Sequence, residues 1–514
     1  MRILLRCDGG GAVGVGHVMR SLALAEAAVA AGHEVVVAGH FEGSFLRAQL
    51  AAAPVEVVEL RDIVDESLAE LAQRFEPDVL HVDSYEPRGW LMGSFVLSNV
   101  EDGSFGRGPA DVVIDPTFGA ELSPRPDDGS TLLLRGSRYA PIRQRVLDAR
   151  RSAEVVGTIG DSSSSVARSV LVVMGGTDPV GLAPAAVGLL ARTGLGLDVT
   201  VIAVGENAER AQVAAQGSAL SVDVLAPVDD LAALMARQDL VVSAAGTSVW
   251  ELCCLGVPMA VVWAVDNQRD GYDRVVTAGA AVGLGGPDLA RNVGAVAQLR
   301  TALTDAAVRA DLVRAGRQVV DGLGAWRVVR TWEQVLRVGS LPAVADVALL
   351  ARRATLEDSR LLWEWRNDPG TRAGSRNTDM VPWSQHLAWL EASLTRTDRL
   401  LLVVDDEVSP VGAVRWDLES ESEGEWEASI TVAPDRRGQS LARPLLRAGE
   451  VALLGEMALA ELAGSSRTDV TAYLAVVHVD NVPSLRLFES TGYLPDLPPD
   501  SRGFMWFRKA ARVT

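Results

Sequence analysis

Cysteine is scarce in this chain of 514 residues. Only Cys7, Cys253 and Cys254 occur, an odd number without the C-x-x-C spacing of metal or redox motifs. The sequence therefore gives no basis for a disulfide framework or a zinc site. Cys253 and Cys254 lie in an apolar helical stretch, and we expect both in the core, because free cysteine is among the most buried residue types.

Long apolar runs and basic charge are also lacking. No window reaches the 18 or more apolar residues of a membrane span, and the N-terminal segment, charged at Arg6, has no apolar signal-peptide core. The formal net charge of -19 disfavours nucleic acid and anionic lipid as partners. We therefore expect a cytoplasmic protein with no membrane or nucleic-acid partner. A small phosphorylated ligand remains compatible with this charge, since backbone amides can hold an anion.

Two similar α/β series fill the first two thirds of the chain. The first begins with a strand at Met1–Cys7, a glycine loop, a helix and a second strand at Glu34–Ala38. The second begins at Ser169–Met174, after a serine-containing stretch at 148–168 that we interpret as a hinge. Two such halves predict a cleft at the carboxyl ends of their parallel strands.

A third domain follows a short linker at 339–347. Tryptophan and arginine become more frequent there, and the strand pattern becomes antiparallel. We predict an α/β protein of three parts: a first Rossmann-like lobe over 1–150, a second lobe over 168–338 and an α+β domain over 348–512.

The first candidate site is the glycine-rich segment 11–21, GAVGVGHVMRS. Gly14 and Gly16 stand directly before a helix, where the backbone can approach a ligand and free amides favour an anion. His17 lies at the junction, and an imidazole suits a general base that activates water. A tight turn with a structural histidine is the alternative interpretation.

The segment also carries a family resemblance. Asp8 followed by Gly14-Val15-Gly16-His17-Val18-Met19-Arg20 resembles the opening of the UDP-2,4-diacetamido-2,4,6-trideoxy-β-L-altropyranose hydrolases of pseudaminic acid synthesis. Further matching elements are His81–Tyr85, Gly136–Arg143, Met174–Asp178 and Ala244–Gln268. The resemblance implies a two-lobed glycosyltransferase-B-like fold and an inverting, metal-independent hydrolysis with His17 as base. It also implies that Tyr85 and Asn267 lie near the sugar.

The second lobe supplies the expected nucleotide site. Gly246, Thr247 and Ser248 open a helix whose free amides and hydroxyls can hold the UDP phosphates. We expect Glu251 to accept the ribose hydroxyls and Gln268 to bond sugar or phosphate. Ordinary helix-end and loop roles are the alternatives for these residues.

Two departures from the family pattern affect the first lobe. Gly9-Gly10-Gly11 replaces a serine-rich loop, and an Asp-Asp pair is reduced to Glu101-Asp102. These differences concern the contacts to the sugar more than the catalytic histidine.

The third domain resembles the GNAT acetyltransferases. A basic turn, Asp435-Arg436-Arg437-Gly438-Gln439-Ser440, stands between a strand and a helix, and Asn481–Tyr493 matches the family's NxxSxxLFExxGF/Y. Asp435 and Ser440 depart from the usual residues of that turn. The resemblance implies acetyl-CoA as co-substrate and Tyr493 as donor of a proton to the thiolate. The implied cofactor-binding residues are Arg437, Gly438, Ser440, Leu441, Ala442 and Asn481. Glu427 is a candidate base by position, with a solvated acidic hairpin as the alternative.

Together the resemblances predict a bifunctional enzyme acting on UDP-linked amino sugars. The GNAT domain would acetylate the 4-amine of UDP-4-amino-4,6-dideoxy-N-acetyl-β-L-altrosamine, and the hydrolase would release the free sugar. Three alternatives stay open: a UDP-sugar glycosyltransferase with a non-water acceptor, a GNAT domain that acts on another amine, and a nucleotide-sugar sensor without turnover.

Overall fold

A computed structural model describes most of the chain, namely residues 1–10, 14–60, 65–84, 93–156, 166–175, 178, 180–339, 349–420, 424–462 and 470–511. The chain divides into two compact units, Met1–Glu333 and Gln334–Thr514. Within the described residues, no helix is long and apolar enough to cross a membrane.

The first lobe is a parallel sheet of seven strands in the order β3-β2-β1-β4-β5-β6-β7. Its strands are β1 (Arg2–Cys7), β2 (Glu34–Gly39), β3 (Glu56–Glu59), β4 (Val79–Asp83), β5 (Val96–Val100), β6 (Val112–Asp115) and β7 (Leu132–Arg135). Its helices are α1 (Gly16–Ala30), α2 (Ser44–Ala51), α3 (Asp65–Phe75) and α4 (Gln144–Val156). The strand order reverses between β1 and β4, and in such sheets ligands bind beyond the carboxyl ends of the strands at that point.

The second lobe repeats this plan with a parallel sheet of six strands in the order β10-β9-β8-β11-β12-β13. Its strands are β8 (Ser169–Val173), β9 (Asp198–Ile202), β10 (Ser221–Leu225), β11 (Leu240–Ala244), β12 (Met259–Val262) and β13 (Val282–Gly283). Its helices are α5 (Leu182–Arg192), α6 (Glu206–Ala215), α7 (Leu231–Met235), α8 (Ser248–Leu255), α9 (Arg269–Thr277), α10 (Val293–Thr304), α11 (Ala306–Val319) and α12 (Gly324–Val338).

Two helices connect the lobes of the first unit. Val146 of α4 is buried in the same core cluster as Leu252 of α8, so the helix that ends the first lobe packs on the second. In return, Trp332 of α12 donates through Nε1 to Ser98 Oγ of β5 at 3.0 Å. Each lobe is thus anchored by a helix that follows the other lobe in the chain.

The second unit holds a mixed sheet of seven strands in the order β14-β15-β16-β17-β18-β20-β19. Its strands are β14 (Leu350–Arg353), β15 (Arg399–Asp405), β16 (Pro410–Ser420), β17 (Glu425–Val432), β18 (Ala472–His478), β19 (Leu494–Leu497) and β20 (Phe504–Ala510). Its helices are α13 (Ser359–Asn367), α14 (Pro369–Ala373), α15 (Trp383–Thr395), α16 (Ala442–Leu462) and α17 (Val482–Ser490). Neighbouring strands are antiparallel except β17 and β18, which are parallel.

These sheets confirm the expected fold, a two-lobed glycosyltransferase-B-like α/β arrangement followed by a GNAT α+β domain. All three cysteines are buried and unbridged, as expected. Two local expectations were wrong. The predicted hinge at 148–168 is helical as far as Val156, and its residues 157–165 lie outside the described part. The sequence pattern predicts a single helix near 298–316, but the structure has two helices there, because Asp305 accepts from Ala307 N at 2.9 Å and caps the second one.

Candidate active sites

The first candidate site is built on the start of α1, where the sequence placed its histidine. Gly14 has φ +80°, a left-handed conformation that suits glycine, and α1 begins two residues later. His17 therefore lies in the first turn, with its ring buried. Its Nδ1 lies 2.6 Å from Oδ1 of Asp83, the last residue of β4.

Asp83 is held as a carboxylate by Arg20, one turn after His17 on α1. Arg20 Nε donates to Asp83 Oδ2 at 2.7 Å, and Nη2 donates to Oδ1 at 2.8 Å. Burial alone would raise the pKa of Asp83, but Arg20 and His17 outweigh it and hold that pKa far below its usual range. An ionised carboxylate only accepts hydrogen bonds, so the Asp83 contact favours the ring tautomer with the proton on Nδ1, in which Nε2 is the basic nitrogen.

The Glu101-Asp102 pair contributes one residue to this network. Arg20 Nη1 donates to both oxygens of Asp102, at 2.8 and 2.9 Å. Glu101 instead accepts from Arg125 Nε at 2.8 Å, away from the histidine. Asp102 thus helps to orient Arg20, although the departure from the family pattern had placed this segment in question.

The N-terminus of α8 lies close to the His17 loop. A Cβ atom added to Gly16 would lie 3.5 Å from Cγ2 of Thr247, so the two lobes approach each other closely here. Thr247 is the N-cap residue, but its side chain makes no capping hydrogen bond. The first-turn amides of α8 and the hydroxyls of Thr247 and Ser248 can therefore serve an anionic ligand beside Gly16 and Gly246.

Glu251 stands in the first turn of α8, as expected. Burial raises its pKa to about 7, and the guanidinium groups of Arg143 and Arg145 oppose that rise. Arg143 is itself tied to Glu26, with Nε 2.8 Å from Oε1. The carboxyl group of Glu251 can thus be neutral or ionised near neutral pH.

Asn267 and Gln268 share the short turn that follows β12, but their side chains differ. Gln268 Oε1 accepts from Ala264 N at 2.9 Å, so part of its amide holds the turn. Asn267 Oδ1 is buried and finds no hydrogen-bond partner among the described residues. A buried acceptor without a hydrogen bond lowers the stability of the fold unless a ligand bonds to it. Asn267 is therefore a better candidate than Gln268 for a contact to substrate. Tyr85 lies outside the described residues.

The second candidate site lies where β17 and β18 separate. The two strands pair in parallel only from Glu425 to Glu427, opposite Ala472 to Leu474. Beyond Glu427, β17 continues to Val432 while its recorded pairing is with β16. The edge of β17 that faces β18 is thereby opened at Glu427, and an extended ligand can bond to its backbone there.

A turn with two left-handed residues connects β17 to α16. Gly438 has φ +78° and Ser440 has φ +58°. Leu441 is buried in the core, and Ala442 begins the 21-residue helix α16. The amides of this turn stand at a helix N-terminus, an arrangement that binds phosphate.

Arg437 and Asn481 are two predicted cofactor contacts, and the side chains of both bond to other residues of the domain. Arg437 Nη1 lies 2.6 Å from Asp368 Oδ1, and Nη2 donates to Thr371 Oγ1 at 2.6 Å. The side-chain oxygen of Asn481 caps α17 by accepting from Ser484 N at 3.3 Å. Both side chains help to fix the rim of this site, and their contacts to a cofactor stay a prediction.

Glu427 sits at the point of strand separation. Its carboxylate accepts from Arg376 Nη2 at 2.7 Å. Burial raises the pKa of Glu427, Arg376 lowers it, and the nearby carboxylates Glu419 and Asp417 add to the rise. A partly buried carboxyl group with a raised pKa at this position fits a general base.

Two family models match parts of the chain. Residues 348–494 match the family model of the acetyltransferase (GNAT) domain, and residues 170–285 match that of the glycosyltransferase family 28 C-terminal domain. The chain combines a glycosyltransferase-28-like domain with a GNAT acetyltransferase domain. This combination supports a bifunctional sugar-modifying enzyme.

Similar proteins come from archaea and bacteria. An uncharacterized protein of Methanocaldococcus jannaschii is 20% identical over 433 residues, covering 80% of this chain and 83% of that protein. The spore coat polysaccharide biosynthesis protein SpsG of Bacillus subtilis is 33% identical over 100 residues, covering 20% of this chain and 30% of SpsG.

Solved structures also resemble the two halves. MurG of Acinetobacter baumannii aligns with 65% of this chain and 99% of its own, at 17% identity and a TM-score of 0.46. Spermidine N-acetyltransferase of Vibrio cholerae, in complex with CoA and spermine, aligns with 32% and 97%, at 14% identity and a TM-score of 0.28.

Tyr493 of the GNAT domain is bonded within the core. The side chain is fully buried, and its hydroxyl donates to Glu450 Oε1 at 3.0 Å. Burial and the Glu450 carboxylate raise the pKa of Tyr493 well above its ordinary value. The role of Tyr493 as donor of a proton to the thiolate stays a prediction.

The partners of His17 are the functional residues that the sequence interpretation missed. In the sequence, Asp83 is one residue of the family element His81–Tyr85, and Arg20 is the last residue of the glycine motif, so neither stands out by itself. Asp83 ends a buried parallel strand, and a carboxylate at the carboxyl edge of such a sheet is a signal that could have singled it out.

Proposed function

We propose that the glycosyltransferase-28-like half hydrolyses UDP-2,4-diacetamido-2,4,6-trideoxy-β-L-altropyranose to UDP and the free sugar. The observation that carries this proposal is the buried His17–Asp83 pair beside the N-terminus of α8. His17 Nε2 takes a proton from water, whose oxygen attacks the anomeric carbon as the bond to the UDP oxygen breaks. Attack opposite the leaving group inverts the anomeric centre.

The second lobe holds the departing UDP in this proposal. The amides of α8 and the hydroxyls of Thr247 and Ser248 stabilise the charge that develops on the diphosphate. Glu251 binds the ribose hydroxyls, and the open acceptor Asn267 Oδ1 binds the sugar. Tyr85 keeps its predicted place near the sugar.

We also propose that the GNAT domain acetylates the 4-amine of UDP-4-amino-4,6-dideoxy-N-acetyl-β-L-altrosamine, which yields the substrate of the hydrolase. The turn Arg437–Ala442 binds the diphosphate of acetyl-CoA, and the open edge of β17 receives its extended arm. Glu427 removes the proton of the attacking amine. The polysaccharide role in the name of SpsG agrees with a sugar substrate.

The hydrolase is tested by UDP release from the diacetamido sugar nucleotide. The His17→Ala variant should lose roughly 10²- to 10⁴-fold in kcat, the usual contribution of a general base. His40→Ala is the matched control, because that ring is exposed and contacts Glu42. If the wild type releases UDP only when a hydroxyl acceptor is added, the glycosyltransferase alternative replaces the hydrolase.

Asp83→Asn tests the histidine pair itself. An amide can donate to Nδ1 and so favours the ring tautomer with its proton on Nε2, which cannot accept a proton from water. We expect a loss of about a hundredfold or more in kcat with little change in KM. Asp78→Asn is the control, since Asp78 stands at the other end of β4, where it accepts from Arg2 N at 2.7 Å.

A further inference from the structure

Arginines gather on the sheet face that carries Glu427. Arg415 of β16 lies opposite Ser429, two residues from Glu427 on β17, so these three side chains share one face. Arg376 donates to Glu427 at 2.7 Å. Arg366 stands close enough to Arg415 for their charges to interact. Arginines thus lie around the candidate base of the GNAT domain, together with Asp417, which is directly opposite Glu427 on β16.

Arg366 and Arg372 are the informative members of this group. Arg366 Nη2 donates to Asn377 O at 2.8 Å, and Arg372 Nη1 donates to Thr378 O at 3.0 Å. Neither guanidinium has a carboxylate within salt-bridge distance among the described residues. Arg366 Nη1 is buried and finds no hydrogen-bond partner in the described part of the chain.

Asp417 and Asp368, two carboxylates of this region, are paired with arginines other than Arg366 and Arg372. Asp417 accepts from both Arg399 and Arg415, at 2.5 and 2.7 Å. Asp368 is paired with Arg437 at 2.6 Å. Asp379 is the acid whose charge acts on Arg366, against the charges of Arg372 and Arg415. Arg366 and Arg372 are thus left without a paired carboxylate among the described residues, and two such guanidinium groups in a chain of net charge -19 indicate an anionic ligand at this place.

We propose that Arg366 and Arg372 bind the diphosphate of the acetyl acceptor, and that the GNAT domain selects nucleoside-diphosphate-linked amines for this reason. The inference rests on the proposed acetyltransferase function and adds a specificity site to it. A planar guanidinium with unused donors matches phosphate oxygens in a paired geometry. A polyamine or a protein N-terminus is cationic, and these arginines would repel it.

The test uses the full chain and follows CoA release with two acceptors, the UDP-linked 4-amino sugar and the same sugar without UDP. In Arg366→Gln and Arg372→Gln we expect kcat/KM for the UDP-linked acceptor to fall roughly tenfold to a hundredfold, the effect of losing a charge-assisted hydrogen bond. The values for the free sugar and the KM for acetyl-CoA should not change. Arg360→Gln is the control, since Arg360 is an exposed residue of α13 paired with Glu364.

A binding measurement separates this inference from the proposed reaction. UDP is titrated into the full chain by calorimetry, and Arg366→Gln should remove one UDP site that Arg360→Gln and Glu251→Gln retain. If the UDP-amino sugar is not acetylated but this site is present, the proposed function fails and the phosphate site stands.

Three outcomes would overturn the inference. One is a wild type that acetylates free and UDP-linked sugars equally well. Another is a raised KM for acetyl-CoA in the variants, which would assign the arginines to the phosphates of CoA. The third is an equal loss of kcat/KM on both acceptors without loss of a UDP site. That result would show that the arginines only hold the loop at 377–381. Arg366→Lys, which keeps the charge, would then behave like Arg366→Gln.

Discussion

Among single residues, Glu251 should change its charge near neutral pH. Burial raises its pKa to about 7, with Arg143 and Arg145 opposing. Below that pH the carboxyl group is mostly protonated, and above it the group is an ionised acceptor. Hydrogen bonds from ribose hydroxyls to an ionised carboxylate are the stronger ones. UDP should therefore bind more tightly as the pH rises through about 7.

Calorimetric titration of UDP at about pH 6 and pH 8 measures this effect. If the ionised form alone binds, the affinity of the wild type should rise up to roughly tenfold between the two values. Glu251→Gln should lose this rise and keep the smaller change caused by the phosphate of UDP itself. The same pH dependence in both proteins would remove Glu251 from the nucleotide site.

The sequence located residues whose neighbours in the chain reveal them. His17 and Glu251 stand in the first turns of helices, and Asn267 follows a strand, so local pattern was sufficient to select them. The pairing of His17 with Asp83 joins residues 66 positions apart, and no local pattern contains it. The motif position of Tyr493 likewise does not reveal that its hydroxyl donates to Glu450.

Among the elements, the turn between β17 and α16 carries backbone strain. Ser440 has φ +58°, a region where a side chain is unfavourable, and Gly438 has φ +78°. A Cβ atom added to Gly438 would meet nothing within 4 Å, so a substitution there changes only the backbone preference. Gly438→Ala should therefore destabilise the GNAT domain by about 1–2 kcal/mol.

Scanning calorimetry and the KM for acetyl-CoA test the turn together. Gly438→Ala should lower the unfolding temperature of the GNAT domain and raise the KM for acetyl-CoA severalfold, because the amides leave their places. Ser440→Gly is the matched change, and it should leave both values unchanged or slightly improved. A Gly438→Ala protein with wild-type stability and KM would show that the turn does not need a left-handed residue there.

The same scale shows which elements the sequence could predict. Central strands such as β1 and β8 contain apolar runs, and the pattern over 182–192 predicts a helix at the residues where α5 occurs. Short strands such as β3 and β13 have too few residues for a periodic pattern. The separation of β17 from β18 depends on how two distant segments pair, which neither segment encodes alone.

For the whole molecule, the net charge of -19 disfavours nucleic acid and anionic lipid as partners, but it does not reveal the arginines near Glu427. Composition averages over the surface, whereas Arg366, Arg372 and Arg415 come together only when α13 packs on the sheet. The acidic total and a basic acceptor site are compatible, because an acidic surface repels polyanions while a local cluster of arginines binds one small diphosphate. The fold class and the two kinds of domain were thus predictable, and the proposed acceptor site was not.

Two activities on one chain predict an order of events when the substrate is the UDP-linked 4-amino sugar. Acetylation must come first if the hydrolase requires both acetamido groups, so UDP release should depend on acetyl-CoA and lag behind CoA release. His17→Ala should release CoA at the wild-type rate and accumulate the acetylated UDP-sugar. Glu427→Gln should release neither product from the amine, yet release UDP normally from the diacetamido substrate.

Time courses of CoA and UDP from one reaction decide this order. If UDP appears without acetyl-CoA, the hydrolase does not require the 4-acetamido group. The first lobe would then lack the contact that makes it specific, and the two reactions would be independent. A lag that disappears when the diacetamido substrate is supplied would establish that the GNAT domain makes the substrate that the other half consumes.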